Sequence, residues 1–300
     1  MDYFLELFFR GLTRGSIYSL IAIGYTMVYG IIELINFAHG EIYMIGAFTA
    51  LIVASVLTIH GVPQAWVLSV AGLSAIVWCS AYGYTVEKIA YKPLRKASRL
   101  APLISAIGMS IVLQNYVMLA QTQDSLPFPN LIPEISALSS VKKILSSSEA
   151  VILGASAFFM VALSLFIKFT RLGRAMRATA QDREMAMLTG VDVDRVISAT
   201  FIIGSALAAV GGLLIASHVG QINFFIGFIA GIKAFTAAVL GGIGSIPGAM
   251  LGGMVLGWTE SFATGYVSSD YEDVFAFALL VFILIFRPSG ILGKHRAQKV

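Results

Sequence analysis

The chain has 300 residues, of which 58% are hydrophobic and only 12% are charged, with a formal net charge of +4. A soluble domain carries roughly 25% charged residues, so this composition excludes an ordinary water-soluble protein. Apolar runs of about 18 or more residues, each long enough for a membrane helix, recur along the chain.

Nine apolar windows predict an all-α, polytopic membrane protein with about 8–9 transmembrane helices. Several windows are shorter than the roughly 20 residues that a straight crossing needs. Many also contain glycine, which allows for broken or re-entrant helices. The windows lie near residues 15–32, 42–57, 65–86, 101–120, 150–169, 196–217, 224–243, 246–264 and 271–287. We expect one transmembrane domain over residues 1–300.

Lysine and arginine concentrate in three connecting segments, and such segments usually face the cytoplasm. They are Lys92, Arg95, Lys96 and Arg99; Arg171, Arg174, Arg177, Arg183 and Arg195; and Arg287, Lys294, Arg296 and Lys299. The segment with Asp270, Glu272 and Asp273 has no base, and the 121–149 connection is nearly balanced. The pattern places the three basic segments, and with them the C-terminus, in the cytoplasm. It places the 121–149 connection and the segment with Asp270 outside.

The sequence leaves the side of the N-terminus open. Counting crossings back from residue 88 places it outside, whereas Arg10 and Arg14 favour the inside. An extra or broken span near Asn36 would remove this conflict.

A short polar segment interrupts the apolar sequence between the first two windows. It contains Asn36, His39, Gly40 and Glu41. Polar groups at membrane depth are costly and usually face a bundle interior or a watery cavity, and glycine beside them suits a broken helix. These four residues are therefore candidates for a translocation path, and an ordinary cytoplasmic turn is the alternative.

Glycines crowd two late windows, and one lysine lies among them. The glycines recur at four-residue spacing, which lets helix backbones approach closely in lipid; they are Gly244, Gly248 and Gly252, then Gly253 and Gly257. The Lys233 side chain either reaches the membrane–water interface or faces the bundle interior. In the second case Lys233 is a candidate residue of the translocation path.

The segment of about 171–195 predicts a helix that contacts a partner protein. Residues 174–189 contain no glycine or proline and are rich in good helix formers, with Met and Leu among charges of both signs. The alternative is a solvated basic loop that only sets topology.

No arrangement in the sequence indicates an enzyme. We find no nucleophile with a base, no catalytic pair of carboxylates and no metal ligands at helical spacing. A glycine-rich phosphate loop of the GxxxxGKS type is also missing. We expect no cofactor, and any ATP that drives the protein is bound by another chain.

Four motifs together resemble the permease subunits of branched-chain amino-acid ABC importers, over nearly the whole chain. They are INFAHGEIYMIGAF, RLGRAMRATAQDREMAMLTGV, GIKAFTAAVLGGIGSIPGAMLGG with Glu260 following, and FRPSGILG. The resemblance implies the architecture of an ABC importer permease, in the inner membrane of a bacterium. It also implies that the 171–195 segment is a coupling loop that docks on an ATPase.

Within that loop, Glu184, Ala186 and Gly190 resemble the importer signature in which Glu-Ala-Ala is followed by Gly, with Met185 interrupting the small residues. The candidate coupling residues are Arg174, Arg177, Asp182, Glu184, Ala186 and Gly190. The implied partners are two ATP-binding cassette ATPase subunits, a second related permease, a periplasmic substrate-binding protein and the bilayer, with no nucleic acid. Whether the two permeases are identical stays open.

Two other functions compete with import of branched-chain amino acids. One is an ABC permease for another small solute, such as a sugar. The other is an ATPase-independent channel or secondary transporter, which needs a relay of ionisable groups in the membrane. Only Glu33, Glu41, Lys233 and Glu260 qualify for such a relay, and the sequence shows no pairing among them.

Overall fold

The computed structural model describes residues 2–95, 97–98, 100–132 and 145–293. Lys96, Arg99, Lys294, Arg296 and Lys299, and positions 133–144 of the long connection, lie outside the described residues. The helices are α1 Asp2–Ile32, α2 His39–Ile59, α3 Gln64–Val86, α4 Leu100–Ala120, α5 Ser147–Phe169, α6 Arg171–Gln181, α7 Arg183–Leu188, α8 Val193–Val219, α9 Ile226–Gly241, α10 Ile246–Tyr266 and α11 Glu272–Phe286.

Shorter elements connect these helices. A π-helical turn, Glu87–Tyr91, and a 3-10 turn, Lys92–Leu94, extend α3, and a second 3-10 turn, Ser269–Tyr271, precedes α11. The two-residue strands β1, Leu126–Pro127, and β2, Gln221–Ile222, pair antiparallel, with Leu126 opposite Ile222.

Each of the nine apolar windows falls on a helix, so the all-α polytopic fold is confirmed. Within the described residues, six helices are long and apolar enough to cross a membrane. The pair α9 and α10 is bent by 119° at its break and could form a seventh, broken span or a re-entrant loop. Because α11 has only 15 residues, a count of eight or nine full crossings is not confirmed.

Helices α1 and α10 pack antiparallel along most of their length. An added Cβ on Gly15 would come within 2.7 Å of Met254 Cα, and one on Gly253 within 2.5 Å of the Ser19 nitrogen. Ser19 Oγ also donates to the Met250 carbonyl, at 2.7 Å. The predicted glycine stripe therefore brings two backbones into contact.

The second glycine stripe of α10 faces a different helix. Cβ atoms on Gly248 and Gly252 would lie 2.9 and 2.7 Å from backbone atoms of Gly241, at the end of α9. Gly244 has no atom within 4 Å of an added Cβ, but its φ of +92° is one that glycine adopts easily. Two interleaved stripes thus place α10 between α1 and α9.

Helix α8 forms the other half of the core. It packs against α1, α2 and α3, and small residues mediate these contacts: an added Cβ on Gly46 of α2 would lie 2.7 Å from Ala209 Cα. The most apolar stretches of α1 and α8 are 89% and 72% buried, whereas those of α4 and α5 are only 22% buried. Helices α1 and α8 are central, and α4 and α5 are peripheral.

The loops collect at two ends of the bundle, which differ in charge. At one end, which we call the basic end, Arg183 donates to the Ile31 carbonyl, Arg95 contacts Asp194, and the Ile291 nitrogen donates to the Leu240 carbonyl at 2.9 Å. The opposite end, which we call the acidic end, contains β1 and β2, the start of α5 and the 266–273 segment.

The N-terminal part of α1 lies at the acidic end. The Tyr3 hydroxyl donates to the Gly265 carbonyl at 2.8 Å, and the Ser261 hydroxyl donates to the Leu7 carbonyl at 2.6 Å. This placement agrees with counting crossings back from residue 88, so no extra span near Asn36 is needed.

The two arginines that favoured the other side do not act as free charges. Arg10 pairs with Glu6 at 2.7 Å, and Arg14 pairs with Glu272 at 2.9 Å.

A leucine at Gly253 should destabilise the fold, because its side chain would separate the backbones of α1 and α10. Overpacking of this kind costs about 3 kcal/mol at its upper range. Gly154 of α5 is exposed and has no atom within 4 Å of an added Cβ, so Gly154→Leu is a matched control that should cost under about 0.5 kcal/mol. The stability of both variants is measured by heating them in detergent and monitoring when the Cys79 thiol, which is buried in the folded protein, becomes open to labelling. Equal melting of the two variants would contradict the backbone contact.

Candidate translocation site and coupling surface

The chain breaks between α1 and α2 in the interior of the bundle. Residues 33–38 are not helical, and Glu33 has a φ of +59°, a conformation that non-glycine residues adopt rarely. Helix α2 then begins at His39, beside Gly24 of α1. Since Gly24 lies eight residues before the end of α1, α2 starts about 12 Å inside that end, at 1.5 Å per residue.

Small residues on two helices make room for the His39 side chain. An added Cβ on Gly24 would lie 2.5 Å from His39 Cε1, and one on Gly204 of α8 would lie 3.6 Å from the same atom. The Tyr25 ring meets the imidazole edge-on, with a centroid distance of 4.9 Å. His39 is therefore enclosed by α1 and α8 and is only 1% exposed.

Glu41 lies at the contact of α2 with α4 and α9 and is fully buried. The Ser110 hydroxyl of α4 donates to Glu41 Oε1 at 3.0 Å, and Glu41 Oε2 has no hydrogen-bond partner among the described residues. An added Cβ on Gly227 of α9 would come within 2.6 Å of that free oxygen. Glycine at this position gives the carboxylate its space.

The candidate path residues thus form a buried polar region. Asn36, with 2% exposure, accepts a hydrogen bond from the Tyr91 hydroxyl at 3.0 Å, and its Nδ2 atom has no partner among the described residues. Gly40 packs against Gly231, whose Cα lies 2.8 Å from an added Cβ. These are not the side chains of an exposed turn, and their role in translocation stays a prediction.

Lys233 belongs to a cluster of ion pairs that joins four helices. Its Nζ lies 3.2 Å from Glu260 Oε1, 2.9 Å from Glu272 Oε1 and 2.8 Å from Asp273 Oδ1. The Tyr18 hydroxyl donates to Glu260 Oε2 at 2.8 Å, and Arg14 pairs with Glu272. The sequence showed no pairing of Lys233 with Glu260, because it does not reveal that these two side chains of α9 and α10 meet here.

A second cluster of charges lies near the basic end, where the sequence did not predict one. Glu87 is fully buried in the π-helical turn and contacts Arg95, and the Ser198 hydroxyl donates to Glu87 Oε2 at 2.9 Å. Asp194, at the start of α8, binds Lys92 at 2.9 Å and also contacts Arg95. The π-turn directs Glu87 toward α8, and no periodicity in the sequence reveals such a turn.

The predicted coupling loop folds as two short helices, α6 and α7. Thr170 caps α6 by accepting from the Gly173 nitrogen at 3.0 Å, and Asp182 caps α7 by accepting from the Met185 nitrogen at 3.0 Å. Gly190 ends the unit with a φ of +85°. Asp182 and Gly190 therefore shape the loop, and the helix predicted over 174–189 is broken at Asp182.

Arginines fasten this unit to the bundle. Arg183 donates to the Ile31 carbonyl through Nε at 2.6 Å, Arg177 donates to the Ile167 carbonyl, and Arg174 donates to the Phe169 carbonyl at 3.2 Å. The carbonyls at helix ends lack partners within their own helix, so these contacts satisfy them. Burial lowers the pKa of Arg183 from its usual high value, and nearby Glu33 opposes that shift.

The outer face of α7 is apolar and uncovered. Met185, Met187 and Leu188 are 60%, 54% and 81% exposed, while Ala186 is buried against the bundle. Glu184 is exposed beside them. Ala186 thus packs α7 against the bundle, and Met185, Met187 and Leu188 form its exposed apolar face.

The described residues contain no group of three or more His, Cys, Asp or Glu side chains that could hold a metal ion. A polar cavity of about 540 Å³ opens at the acidic end among α1, α5, α8 and α10, with Arg10, Arg14, His218 and Thr264 in its lining.

An apolar helical bundle with a buried polar break, paired internal charges and a protruding amphipathic loop is the arrangement of a membrane permease. Residues 7–284 match the family model described as "Branched-chain amino acid transport system / permease component". The chain belongs to this family.

Curated relatives cover nearly the full length. The chain is 50% identical to the high-affinity branched-chain amino acid transport system permease protein LivH of Salmonella typhimurium, over 99% of this chain and 98% of that protein. It is 51% identical to the permease protein BraD of Pseudomonas aeruginosa, with the same coverage. It is also 26% identical to the permease protein LivM of Escherichia coli, over 95% of this chain and 70% of that protein.

Replacing Lys233 with methionine should destabilise the protein, because it leaves three carboxylates facing one another around an apolar side chain. Breaking a buried ion pair costs about 3–5 kcal/mol. The double variant Lys233→Met with Glu260→Gln should recover part of this loss, and Lys168→Met, at an exposed position, should cost under about 0.5 kcal/mol. Melting temperatures in detergent test this. A single variant as stable as the wild type, or a double variant no better than the single, would contradict the pairing.

Proposed function

We propose that this chain is the permease subunit of an ATP-driven importer that carries branched-chain amino acids across the cell membrane. The observation that supports this most strongly is the identity of about half of all positions to LivH and BraD over 99% of the chain. These relatives favour this function over a sugar permease and over a channel that works without an ATPase.

We infer that the outer face of α7 binds an ATP-binding cassette ATPase. Methionine and leucine side chains at 54–81% exposure have no partner to cover them within the described residues, and the flanking helix is rich in arginine. The α6–α7 unit can transmit force to the bundle, because Arg183 of α7 bonds to the end of α1 and Arg177 of α6 bonds to the end of α5. In this proposal the ATPase binds and hydrolyses ATP, and this chain is the transport subunit.

A second permease chain completes the pore in this proposal. The similarity to LivM, itself a permease of a branched-chain amino acid system, supports a pair of related but different chains. Helix α5, whose most apolar stretch is only 22% buried, has the exposed face that such a pairing needs.

The basic end is cytoplasmic in this proposal, and so is the C-terminus. Lysine and arginine exceed acids there, as they do on cytoplasmic loops of other membrane proteins. A periplasmic binding protein would then deliver substrate at the acidic end.

The path for the substrate passes the break before α2 in this proposal. This break provides polar groups inside the bundle, away from the lipid, at Asn36, His39, Gly40 and Glu41. Lys233 contributes by holding α9 against α10 and α11, since three carboxylates occupy its ammonium.

Leu188→Glu should weaken the assembly with the ATPase, because it places a charge in the apolar contact face of α7. We expect about a tenfold loss of ATPase recovered with the affinity-purified permease, equivalent to about 1.4 kcal/mol. The matched control is Val267→Glu, an exposed apolar position at the acidic end, which should keep recovery within about twofold. Equal recovery with both variants would contradict the docking surface, and the absence of ATPase from the wild-type preparation would contradict the importer.

Single cysteines in a Cys79→Ser background test the sidedness. Positions 3, 124 and 269 lie at the acidic end and are expected to react with a membrane-impermeant thiol reagent added to intact cells. Positions 174 and 188 lie at the basic end and are expected to react only after the cells are opened. Protection of position 3 together with labelling of position 124 would contradict the placement of the N-terminus.

A further inference from the structure

A groove runs between α4 and α9 and has a volume of about 180 Å³. Its walls are aromatic and aliphatic, and they include Phe37, Ile107, Ile111, Phe225 and Phe228. These two helices are separated here, because α4 packs mainly against α2 and the π-helical turn. The groove is therefore a gap between elements of the bundle.

The polar side chains of the groove lie together at one place. Tyr25, Ser110 and Gln114, which is one helical turn from Ser110, line it, and the Ser110 hydroxyl donates to Glu41 directly behind the lining. Glu41 Oε2 has no hydrogen-bond partner, and no lysine, arginine or histidine within the described part of the chain forms an ion pair with this carboxylate. A buried carboxylate without a cation is costly, and a cationic group placed beside it recovers that cost.

The groove suits one kind of ligand by size as well as by charge. A four-carbon side chain occupies about 120 Å³ if each carbon takes up roughly the volume of a water molecule. This is smaller than the 180 Å³ groove, so a branched aliphatic side chain fits without displacing the walls. A sugar would instead leave hydroxyl groups against Phe225 and Phe228 without hydrogen bonds.

We propose that this groove is the subsite that holds the branched aliphatic side chain of an α-amino acid during its passage, with the ammonium group of that amino acid next to Glu41. The inference rests on the proposed function and adds to it the residues that contact the substrate. Gly227 and Gly231 are also required in this subsite. A side chain at Gly227 would displace the Glu41 carboxylate, and one at Gly231 would press on Tyr25.

A pair of neighbouring tryptophan substitutions on α4 tests the subsite. Ile111 lines the groove and is 53% exposed, and Val112, 60% exposed, is absent from the lining. In proteoliposomes that contain the complete transporter, Ile111→Trp should fill the groove and lower leucine uptake at least about tenfold. Val112→Trp adds a side chain of the same size on a different face of α4 and should stay within about twofold of wild type.

These measurements test the proposed subsite and the proposed function separately. Equal uptake by both tryptophan variants and the wild type would overturn the subsite, and so would an equal loss in both variants. A wild-type transporter that carries no leucine, isoleucine or valine would instead overturn the proposed function, whatever the variants do. ATPase copurification, measured in parallel, should be unchanged in both variants.

Glu41→Gln tests the ammonium position with a matched control. Glu149 is also a buried glutamate in the first turn of its helix, where its carboxylate accepts from the Ser146 nitrogen at 2.7 Å, and glutamine can replace it in that cap. Leucine uptake should fall at least about tenfold with Glu41→Gln and stay within about twofold with Glu149→Gln. The same uptake in both variants would overturn the assignment of Glu41.

Discussion

The backbone contact between α1 and α10 is the interaction on which the rest of the structure depends. Lipid supplies no hydrophobic force between helices, so close packing has to hold them together. Gly15 and Gly253 allow this close approach, and the Ser19 hydroxyl reaches the α10 backbone as a result. With α10 fixed against α1, its second glycine stripe fixes α9, and the Tyr18, Glu260 and Lys233 side chains can meet between them.

The same packing explains why charge is tolerated inside the bundle. Lys233 and Glu87 are each buried with partners of opposite sign, so their ionisation is matched locally. Glu41 differs because its second oxygen has no partner within the described residues. The two paired clusters are structural, whereas the unpaired carboxylate is the one with free capacity for a cation, which is why the substrate is assigned to it.

Sequence patterns predict what depends on short spacing along the chain. The nine apolar windows, the two glycine stripes of α10 and the helix-forming composition of the 174–189 segment each rest on neighbours within a few residues, and each has its counterpart in the structure. The break at Asn36 was visible as polar residues in an apolar run, but its depth was not, because depth depends on where α1 ends relative to Gly204 of α8. Residue spacing alone does not reveal the protein family. The resemblance of the four motifs indicated it, and the match over residues 7–284 confirms that family.

Other features could not be read from the sequence because they join distant residues. Ser110 lies 69 positions from Glu41, and Lys233 lies 39 positions from Glu272. Each pair requires knowledge of which helices are neighbours. Arg14 and Glu272, which form an ion pair, lie 258 positions apart.

The distribution of packing also indicates which helices can move with the smallest loss of contacts. Helices α1, α8 and α10 share glycine-mediated backbone contacts, and separating them would break many contacts at once. Near the groove, the Ser110 hydroxyl of α4 bonds to Glu41 of α2, and the most apolar stretch of α4 is only 22% buried. Movement of α4 relative to α9 would change the groove while the glycine-packed core and the α6–α7 unit stay intact. An amino acid whose ammonium replaces Ser110 as the partner of Glu41 would weaken that link, so occupancy of the groove and the position of α4 are coupled through a single carboxylate.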